Sequence, residues 1–212
     1  MKIEWLGHAC FLLTSDSGVK VLTDPFDEKV GYPPPAVETD VVTVSHQHFD
    51  HNATHLLPGH PVVVEGAGEH AAAGVAIRGV GVFHDPDRGA KRGPNTVFII
   101  GMDGLNVCHL GDLGHPLSAE QAAEIGRVDV LCVRVGGFYT IDAKTAHAVV
   151  EQLKPAVILP MHYKYDTKVD LPIAPVDDFL QYYPGAERQK FLTLEKDSLP
   201  AEPRVVVLEL KS

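Results

Sequence analysis

The sequence predicts an α+β fold in which two mixed β-sheets pack together with helices outside, a four-layer αββα sandwich. Short runs rich in valine, isoleucine and leucine recur along the chain, bounded by glycine, proline and aspartate, as is typical of strands. Two pairs of runs are separated by turns short enough for antiparallel hairpins, whereas helical patterns in the second half indicate crossovers between parallel strands. Both kinds of pairing are therefore expected in this fold.

The predicted strands begin near the amino terminus and include two hairpins. Asp16-Ser17-Gly18 and Met102-Asp103-Gly104 have the residue types of hairpin turns. The strands are predicted near Ile3–Leu6, Cys10–Thr14, Val19–Thr23, Val41–Ser45, Val62–Glu65, Val75–Phe83, Thr96–Gly101, Leu105–His109, Val130–Val135, Val157–Met161 and Arg204–Leu210.

Three helices are predicted, all in the second half of the chain. Ser118 followed by Gln121 forms a capping box, which opens a short helix. Asp142 can cap a second helix, and Pro155 prevents that helix from continuing. The predicted helices end near residues 125 and 153, and the third spans residues 176–183.

Length and composition indicate a single domain over residues 1–212. The formal net charge of -10 argues against binding to nucleic acid or to an anionic membrane surface. No apolar run reaches the roughly 18 residues that span a bilayer, and the amino terminus lacks the apolar core of an export signal. We therefore expect a cytoplasmic protein, either monomeric or homo-oligomeric, that acts on a small molecule.

Histidine is the unusual component of the composition, with 12 residues. Because histidine is the commonest protein ligand for transition metals, the positions of these residues are informative. The three cysteines lie in apolar stretches without a C-x-x-C spacing, so we expect buried, reduced thiols at Cys10, Cys108 and Cys132.

The strongest functional signal is the segment Ser45-His46-Gln47-His48-Phe49-Asp50-His51, which directly follows the predicted strand VVTV. A strand end projects alternate residues to one side, so His46 and His48 can chelate one ion. We expect a helix to begin after this strand end, so that Asp50 and His51 are directed toward a second metal position. Zn(II) accepts imidazole and carboxylate ligands together, and without a metal this spacing would leave unpaired polar groups.

This H-x-H-x-D-H segment resembles the defining motif of the metallo-β-lactamase fold superfamily, and later residues resemble the family's other motifs in order. His84 resembles the third histidine of the first metal site, Asp112 the bridging aspartate and His162 the last histidine of the second site. Asp24 resembles the early aspartate that braces the ligand loop. The resemblance covers roughly residues 1 to 180 and is closest to the small metal-dependent hydrolase branch related to L-ascorbate-6-phosphate lactonases.

The resemblance implies a metal-dependent hydrolase with two divalent ions, zinc being the best fit and Mn, Fe, Co or Ni also suitable. It implies catalytic roles for Asp50 and Asp112 beside a metal-bound hydroxide that attacks a small, anionic ester, lactone or phosphodiester. The implied ligands are His46, His48 and His84 for one ion and Asp50, His51 and His162 for the other, with Asp112 bridging both.

Several further residues are candidates for the pocket, each with an ordinary alternative. His8 either lines the site, as the resemblance implies, or is a core histidine with a satisfied ring. Tyr139 follows Gly136-Gly137 and can line the pocket, whereas Asp142 is either a pocket residue or a helix cap. His109 is either an alternative ligand or a packed strand residue. Four basic residues either contact an anionic substrate or belong to a solvated surface, namely Arg88, Lys91, Arg92 and Lys164.

Differences from the better-known members of this superfamily reduce the number of candidate functions. Asn52-Ala53-Thr54 follows the motif in place of the x-Gly-Gly of many glyoxalase II-like members, which argues against thioester hydrolysis. The chain leaves little room for the extra domain of RNA-processing relatives, and it lacks the flavin domain of oxygen-reducing ones. The remaining alternative is a non-catalytic, metal-dependent metabolite-binding or sensor protein.

Overall fold

The fold is given by a computed structural model that describes residues 1–165 and 171–211. The strands found in these residues are β1 (Lys2–Gly7), β2 (Cys10–Thr14), β3 (Lys20–Thr23), β4 (Val41–Val44), β5 (Val62–Glu65), β6 (Gly68–Ala72), β7 (Val75–Phe83), β8 (Pro94–Met102), β9 (Leu105–His109), β10 (Val130–Arg134), β11 (Val157–Met161), β12 (Glu187–Gln189), β13 (Leu192–Thr193) and β14 (Arg204–Leu208).

Two mixed sheets form the centre of the molecule. The first has the order β13-β1-β2-β3-β4-β5, with antiparallel pairing from β13 to β3 and parallel pairing from β3 to β5. The second has the order β12-β14-β11-β10-β9-β8-β7-β6, parallel from β12 to β9 and antiparallel from β9 to β6. This arrangement confirms the predicted α+β sandwich of two mixed sheets.

The two predicted hairpins are present. β2 pairs antiparallel with β3 and β8 pairs antiparallel with β9, each across the expected turn. Gly18 and Gly104 close these turns with φ values of 90° and 75°, in the region that glycine adopts without steric strain.

The first two helices begin at the predicted caps. Helix α1 (Ala119–Ile125) opens with a capping box, in which Ser118 Oγ accepts from the Gln121 N–H and Gln121 Oε1 accepts from the Ser118 N–H. Helix α2 (Ala143–Leu153) begins at Asp142, whose carboxylate accepts from the Thr145 N–H at 2.8 Å. Helix α1 contacts β7 and α2 contacts β10, so both cover the second sheet.

The third helix and three strands differ from the prediction. Helix α3 covers Asp177–Leu180 only, because the Tyr182 and Tyr183 N–H groups donate to the carbonyls three residues earlier, so the chain continues as tight turns up to Pro184. The sequence did not predict β6, β12 and β13. All three are short strands at sheet edges, where polar residues replace the apolar pattern of an interior strand.

The facing surfaces of the two sheets form a continuous apolar core. Cys10, Cys108 and Cys132 are buried there as free thiols, as predicted. Among residues 1–165 and 171–211, no helix has the length and apolar character needed to cross a bilayer.

Candidate metal centre

The predicted ligands come together at one edge of the sandwich, in segments that follow strands. His46 lies two residues after β4, and Asp112 lies three residues after β9. His84 and His162 directly follow β7 and β11. The sheets thus hold ligands that are far apart in sequence within one small volume, as rigid strands with functional loops at their ends commonly do.

Three residues at this edge have left-handed backbone geometry that is uncommon outside glycine. His8 follows β1, Asp24 follows β3 and His162 follows β11, with φ values of 51°, 39° and 50°. Such geometry costs of order 1–3 kcal/mol per residue and persists only where surrounding contacts enforce it. The contacts that enforce this geometry at His8, Asp24 and His162 therefore lie within the clustered histidines and aspartates.

The expected helix after the H-x-H-x-D-H segment is wrong. The segment closes a turn, with the His51 N–H donating to the His48 carbonyl at 2.9 Å, and only a 3-10 turn follows at Thr54–Leu56. The Ala53 N–H donates to the Pro25 carbonyl at 2.9 Å. Because that N–H bonds to the loop after β3, it does not continue a helical hydrogen-bond pattern. The turn nevertheless brings Asp50 and His51 to the cluster.

Asp24 braces the ligand segment from below. Its carboxylate accepts from the Ser45 N–H at 2.8 Å, from Ser45 Oγ at 2.6 Å and from His51 Nδ1 at 2.8 Å. Burial raises the pKa of Asp24, but the charges of His51, His109 and His46 and the hydrogen bond from His51 together outweigh burial and hold this pKa well below its usual range. The ionised carboxylate fixes the His51 ring so that Nε2 faces Asp112, 2.9 Å from Oδ1.

Asp112 is the meeting point of the cluster. The Nε2 atoms of four histidines lie between 2.9 and 4.0 Å from one of its carboxylate oxygens. The Asp112 N–H donates to Asn95 Oδ1 at 2.8 Å, which fixes the backbone of this loop. The preceding Gly111 has a φ of 53°, and a Cβ there would overlap Asn95 and Ser45. The four histidines are His46, His51, His84 and His162.

The ligand atoms form three overlapping groups, and within each group all atoms lie within 4.8 Å of one another. Overlap occurs through His46 and His51, which each belong to two groups. The groups are His46 with His48 and His84, His46 with His51 and Asp112, and His8 with Asp50, His51 and His162. All seven ligands predicted from the sequence are included.

The chemistry of the donor set fits divalent metal ions. A histidine must be neutral to coordinate a metal. Burial lowers the pKa of His84 to about 4 and also lowers the pKa values of His46, His48 and His162, so these rings are neutral at pH 7. Among the residues that the structure describes, the buried Nε2 of His51 has no hydrogen bond of good geometry, although Asp112 Oδ1 lies 2.9 Å away. A metal ion would satisfy this atom.

His51 differs from the other histidines in its electrostatic surroundings. Burial lowers the pKa of His51, but the carboxylates of Asp50 and Asp24 outweigh burial, and the net pKa is raised. In the metal-free protein, the two buried carboxylates therefore favour the protonated form of His51. A metal ion at Asp50 would take over that role and displace the proton.

His8 lies within the cluster rather than in a separate part of the core. Its Nε2 is 3.1 Å from Asp50 Oδ2, and its ring centroid is 4.0 Å from that of His162. Burial lowers the pKa of His8 to about 4, so it is a neutral hydrogen-bond partner for Asp50 at pH 7. Of the two alternatives left by the sequence, the structure places His8 at the site.

Arg134 is a residue of the site that the sequence did not predict. It is fully buried at the end of β10, where Nη1 contacts Asp112 Oδ1 and donates to the Gly111 carbonyl at 2.9 Å. Burial lowers the pKa of Arg134, but its high intrinsic value and the carboxylates of Asp50 and Asp24 keep it charged. A lone arginine within the apolar run VLCVRV was the available signal, because buried arginine is rare without a partner.

Three other residues that the sequence offered as candidates, His109, Asp142 and Lys164, are not among the clustered ligands. Both nitrogens of His109 have backbone partners, the Ala9 carbonyl at 2.8 Å and the Gly111 N–H at 3.2 Å, so neither nitrogen is free to bind a metal. Asp142 acts as the cap of α2. Lys164 is exposed and does not line the cavity described below.

A cavity of about 430 Å³ opens above the ligands. A second cavity of about 470 Å³ adjoins it and shares Gln47, His48 and Arg92. The first is lined by Gln47, His48, Phe49, Asp50, His84, Arg92, Asp112, Tyr139, His162 and Leu171. Metal ligands thus lie at the base of a space large enough for a small molecule.

The fold and this cluster of histidines and aspartates define a metal-dependent hydrolase with the metallo-β-lactamase fold. The chain belongs to the β-lactamase superfamily domain family, whose sequence profile matches residues 2–162. Relatives in Archaeoglobus fulgidus and Methanoregula boonei, both named UPF0173 metal-dependent hydrolase, are 32% and 30% identical to it. These alignments cover 77% and 80% of this chain, and 83% and 85% of the respective relatives.

Solved structures agree with this family. A candidate zinc-dependent hydrolase of the metallo-β-lactamase superfamily from Thermotoga maritima is 45% identical, with a TM-score of 0.83 over 98% of both chains. A metallo hydrolase from Ignicoccus hospitalis shares the fold at 22% identity, with a TM-score of 0.69 over 100% of this chain and 96% of that one. The resemblance drawn from the sequence motifs is confirmed.

Proposed function

We propose that this protein hydrolyses a small anionic ester, lactone or phosphodiester at a dinuclear metal site. The observation that carries the proposal is the position of Asp112 between two groups of ligands. Its Oδ2 lies 2.9 Å from His84 Nε2 on one side and 4.0 Å from His162 Nε2 on the other. One carboxylate is thus within reach of two metal positions.

We assign the donor atoms of the three overlapping groups to two metal positions, each with nitrogen and oxygen ligands because Asp112 is counted with both, which favours zinc. Divalent ions bound there supply a Lewis acid for the bond under attack and lower the pKa of a coordinated water to about 7. The first set is His46, His48 and His84, and the second is Asp50, His51 and His162, with Asp112 common to both.

The protein's own residues hold this arrangement and shape the substrate space. Asp24 fixes the orientation of His51, and His8 restrains Asp50 through its 3.1 Å contact. Arg134 balances the charge of Asp112. The cavity of about 430 Å³ is at the small end of ligand sites, so it favours a small molecule over a polymer.

Turnover by the metal-loaded protein tests the proposal. A panel of lactones, phosphodiesters and carboxylic esters is assayed with wild type, with His48→Ala and with the control His55→Ala, an exposed histidine outside the cluster. We expect His48→Ala to lower kcat/KM by about 100-fold or more, as for loss of transition-state stabilisation, and His55→Ala to match wild type. Full activity of His48→Ala would contradict the mechanism. Ligand-induced stabilisation without product would instead indicate a sensor.

A further inference from the structure

We propose that the Arg92 guanidinium, stacked on the Tyr139 ring, binds the anionic group of the substrate beside the metal ligands. The inference rests on the proposed hydrolysis and names the residue that selects a substrate carrying a carboxylate or phosphate. Such a substrate has its negative group in the part of the cavity bounded by Arg92 and its scissile bond over Asp112.

The structure distinguishes Arg92 from the other basic candidates. Lys91 pairs with Asp87 at 2.5 Å and is largely exposed. Arg88 is exposed and lines a separate cavity, and Lys164 lines neither of the two cavities above the ligands. Arg92 lines both of those cavities. It is therefore the basic residue of the four that faces the space beside the metal ligands.

The loop that carries Arg92 is fixed by a buried carboxylate. Asp85 accepts from four backbone N–H groups of the loop, including the Arg92 N–H at 2.7 Å and the Lys91 N–H at 3.0 Å. The backbone of Arg92 is thereby held before any ligand arrives. Preorganisation of this kind reduces the entropy lost on binding.

The side chain of Arg92 is oriented by its aromatic neighbour. The guanidinium carbon lies 4.7 Å from the centroid of the Tyr139 ring. The ring thus holds the guanidinium on one side, and a guanidinium can form two parallel hydrogen bonds to a carboxylate or phosphate. Within residues 1–165 and 171–211, no carboxylate forms an ion pair with Arg92, so the protein itself does not neutralise this charge there.

The charge of Arg92 acts on the same space as the metal ligands. Arg92 lines one of the two cavities together with His46 and His48, and the other together with His48 and His84. The two cavities meet at Gln47, His48 and Arg92. An anion on Arg92 would thus lie next to the first group of ligands and within the cavity that contains Asp112.

A matched pair of esters tests the proposal with the metal-loaded enzyme. The substrates are 4-acetoxybenzoate and its neutral methyl ester, and the variants are Arg92→Gln and the control Arg88→Gln from the same loop. We expect wild type and Arg88→Gln to prefer the anion by about tenfold or more in kcat/KM, in line with a charge-assisted hydrogen bond. Arg92→Gln should lose this preference through a higher KM for the anion, with unchanged metal content and a much smaller effect on the neutral ester than on the anion.

Variants of the aromatic platform and a binding measurement complete the test. Tyr139→Phe should retain the preference and Tyr139→Ala should weaken it. Competition by benzoate and by phenyl phosphate shows which anion loses more affinity in Arg92→Gln. Calorimetry with 4-hydroxybenzoate and its methyl ester needs no turnover, so an Arg92-dependent preference there would support the anion site even if hydrolysis failed. A preference that is absent in wild type, or that persists in Arg92→Gln, would overturn the proposal.

Discussion

The buried guanidinium of Arg134 contacts Oδ1 of Asp112 at the base of the metal cluster. Oδ1 also faces His51 Nε2 at 2.9 Å, whereas Oδ2 faces His84 Nε2 at 2.9 Å. The two oxygens of Asp112 therefore have different surroundings. Arg134 restrains the carboxylate from the Oδ1 side and leaves Oδ2 directed toward both groups of ligands.

Removal of Arg134 is expected to destabilise the metal-free protein more than the metal-loaded protein. Arg134→Met leaves the buried Asp112 carboxylate without its partner, and breaking such a pair costs about 3–5 kcal/mol. Bound metal would compensate the same carboxylate. Urea denaturation with and without metal measures the difference. Arg134→Lys keeps the charge but not the planar guanidinium, so its free energy of unfolding should lie between those of wild type and Arg134→Met. Equal losses in both forms would show that Arg134 has only a packing role.

Asp24→Asn should weaken metal binding while the fold is retained. The amide keeps the size of the carboxylate and tolerates the left-handed backbone, but it removes the charge that orients the His51 ring. Loss of such a partner typically lowers metal affinity 10–100-fold. Competition with a chromophoric chelator measures the affinity, and circular dichroism checks the fold. Asp142→Asn, which caps α2 away from the cluster, serves as the matched control. Equal affinities in the two variants would contradict the bracing role.

The free energy of unfolding of the metal-free protein should fall as the pH decreases from about 6.5 to about 4. Burial lowers the pKa of His8 from 6.5 to about 4, so in this window the unfolded chain binds a proton that the folded chain does not. His8 alone contributes a slope of about 1.4 kcal/mol per pH unit. His84, whose pKa burial also lowers to about 4, acts in the same direction.

Urea denaturation of the metal-free protein across this pH range measures the slope. His51 has the opposite effect, since its pKa is raised and the stability it contributes is lost as the pH rises above 6.5. His8→Gln should lower the slope of the free energy of unfolding against pH, between pH 6.5 and 4, by the contribution of about one bound proton. A slope that is unchanged in His8→Gln would show that His8 does not titrate in this way.

The parts of the fold that the sequence predicted are those in which local chemistry determines the outcome. The Ser118 capping box and the Asp142 cap place helix starts directly, because a side chain satisfies the first free N–H groups. The strands β7, β9 and β11 were predicted at their full observed bounds, since turn residues enclose their apolar runs. The edge strands β6, β12 and β13 were missed because they are short and lack the apolar pattern by which β5, another edge strand, was predicted.

The site shows the same division between local and distant contacts. The H-x-H-x-D-H segment is visible as a pattern, whereas His84 and His162 were identified only through resemblance to a family. Arg134 was missed because its role depends on the pairing of β10 with β9, which places it beside Asp112. The expected helix after His51 failed because a cross-loop hydrogen bond from Ala53 replaced the local one.

The most direct test of the central claim is elemental analysis of the purified, unchelated protein for transition metals, expressed per chain. The proposed division of the three overlapping ligand groups between two ions, with Asp112 shared by both, predicts about two ions per chain, with zinc as the expected metal. A value near one would contradict a dinuclear site. A value near zero that does not rise when metal is added would show that these histidines and aspartates do not form a metal centre, and the proposed hydrolysis would be wrong.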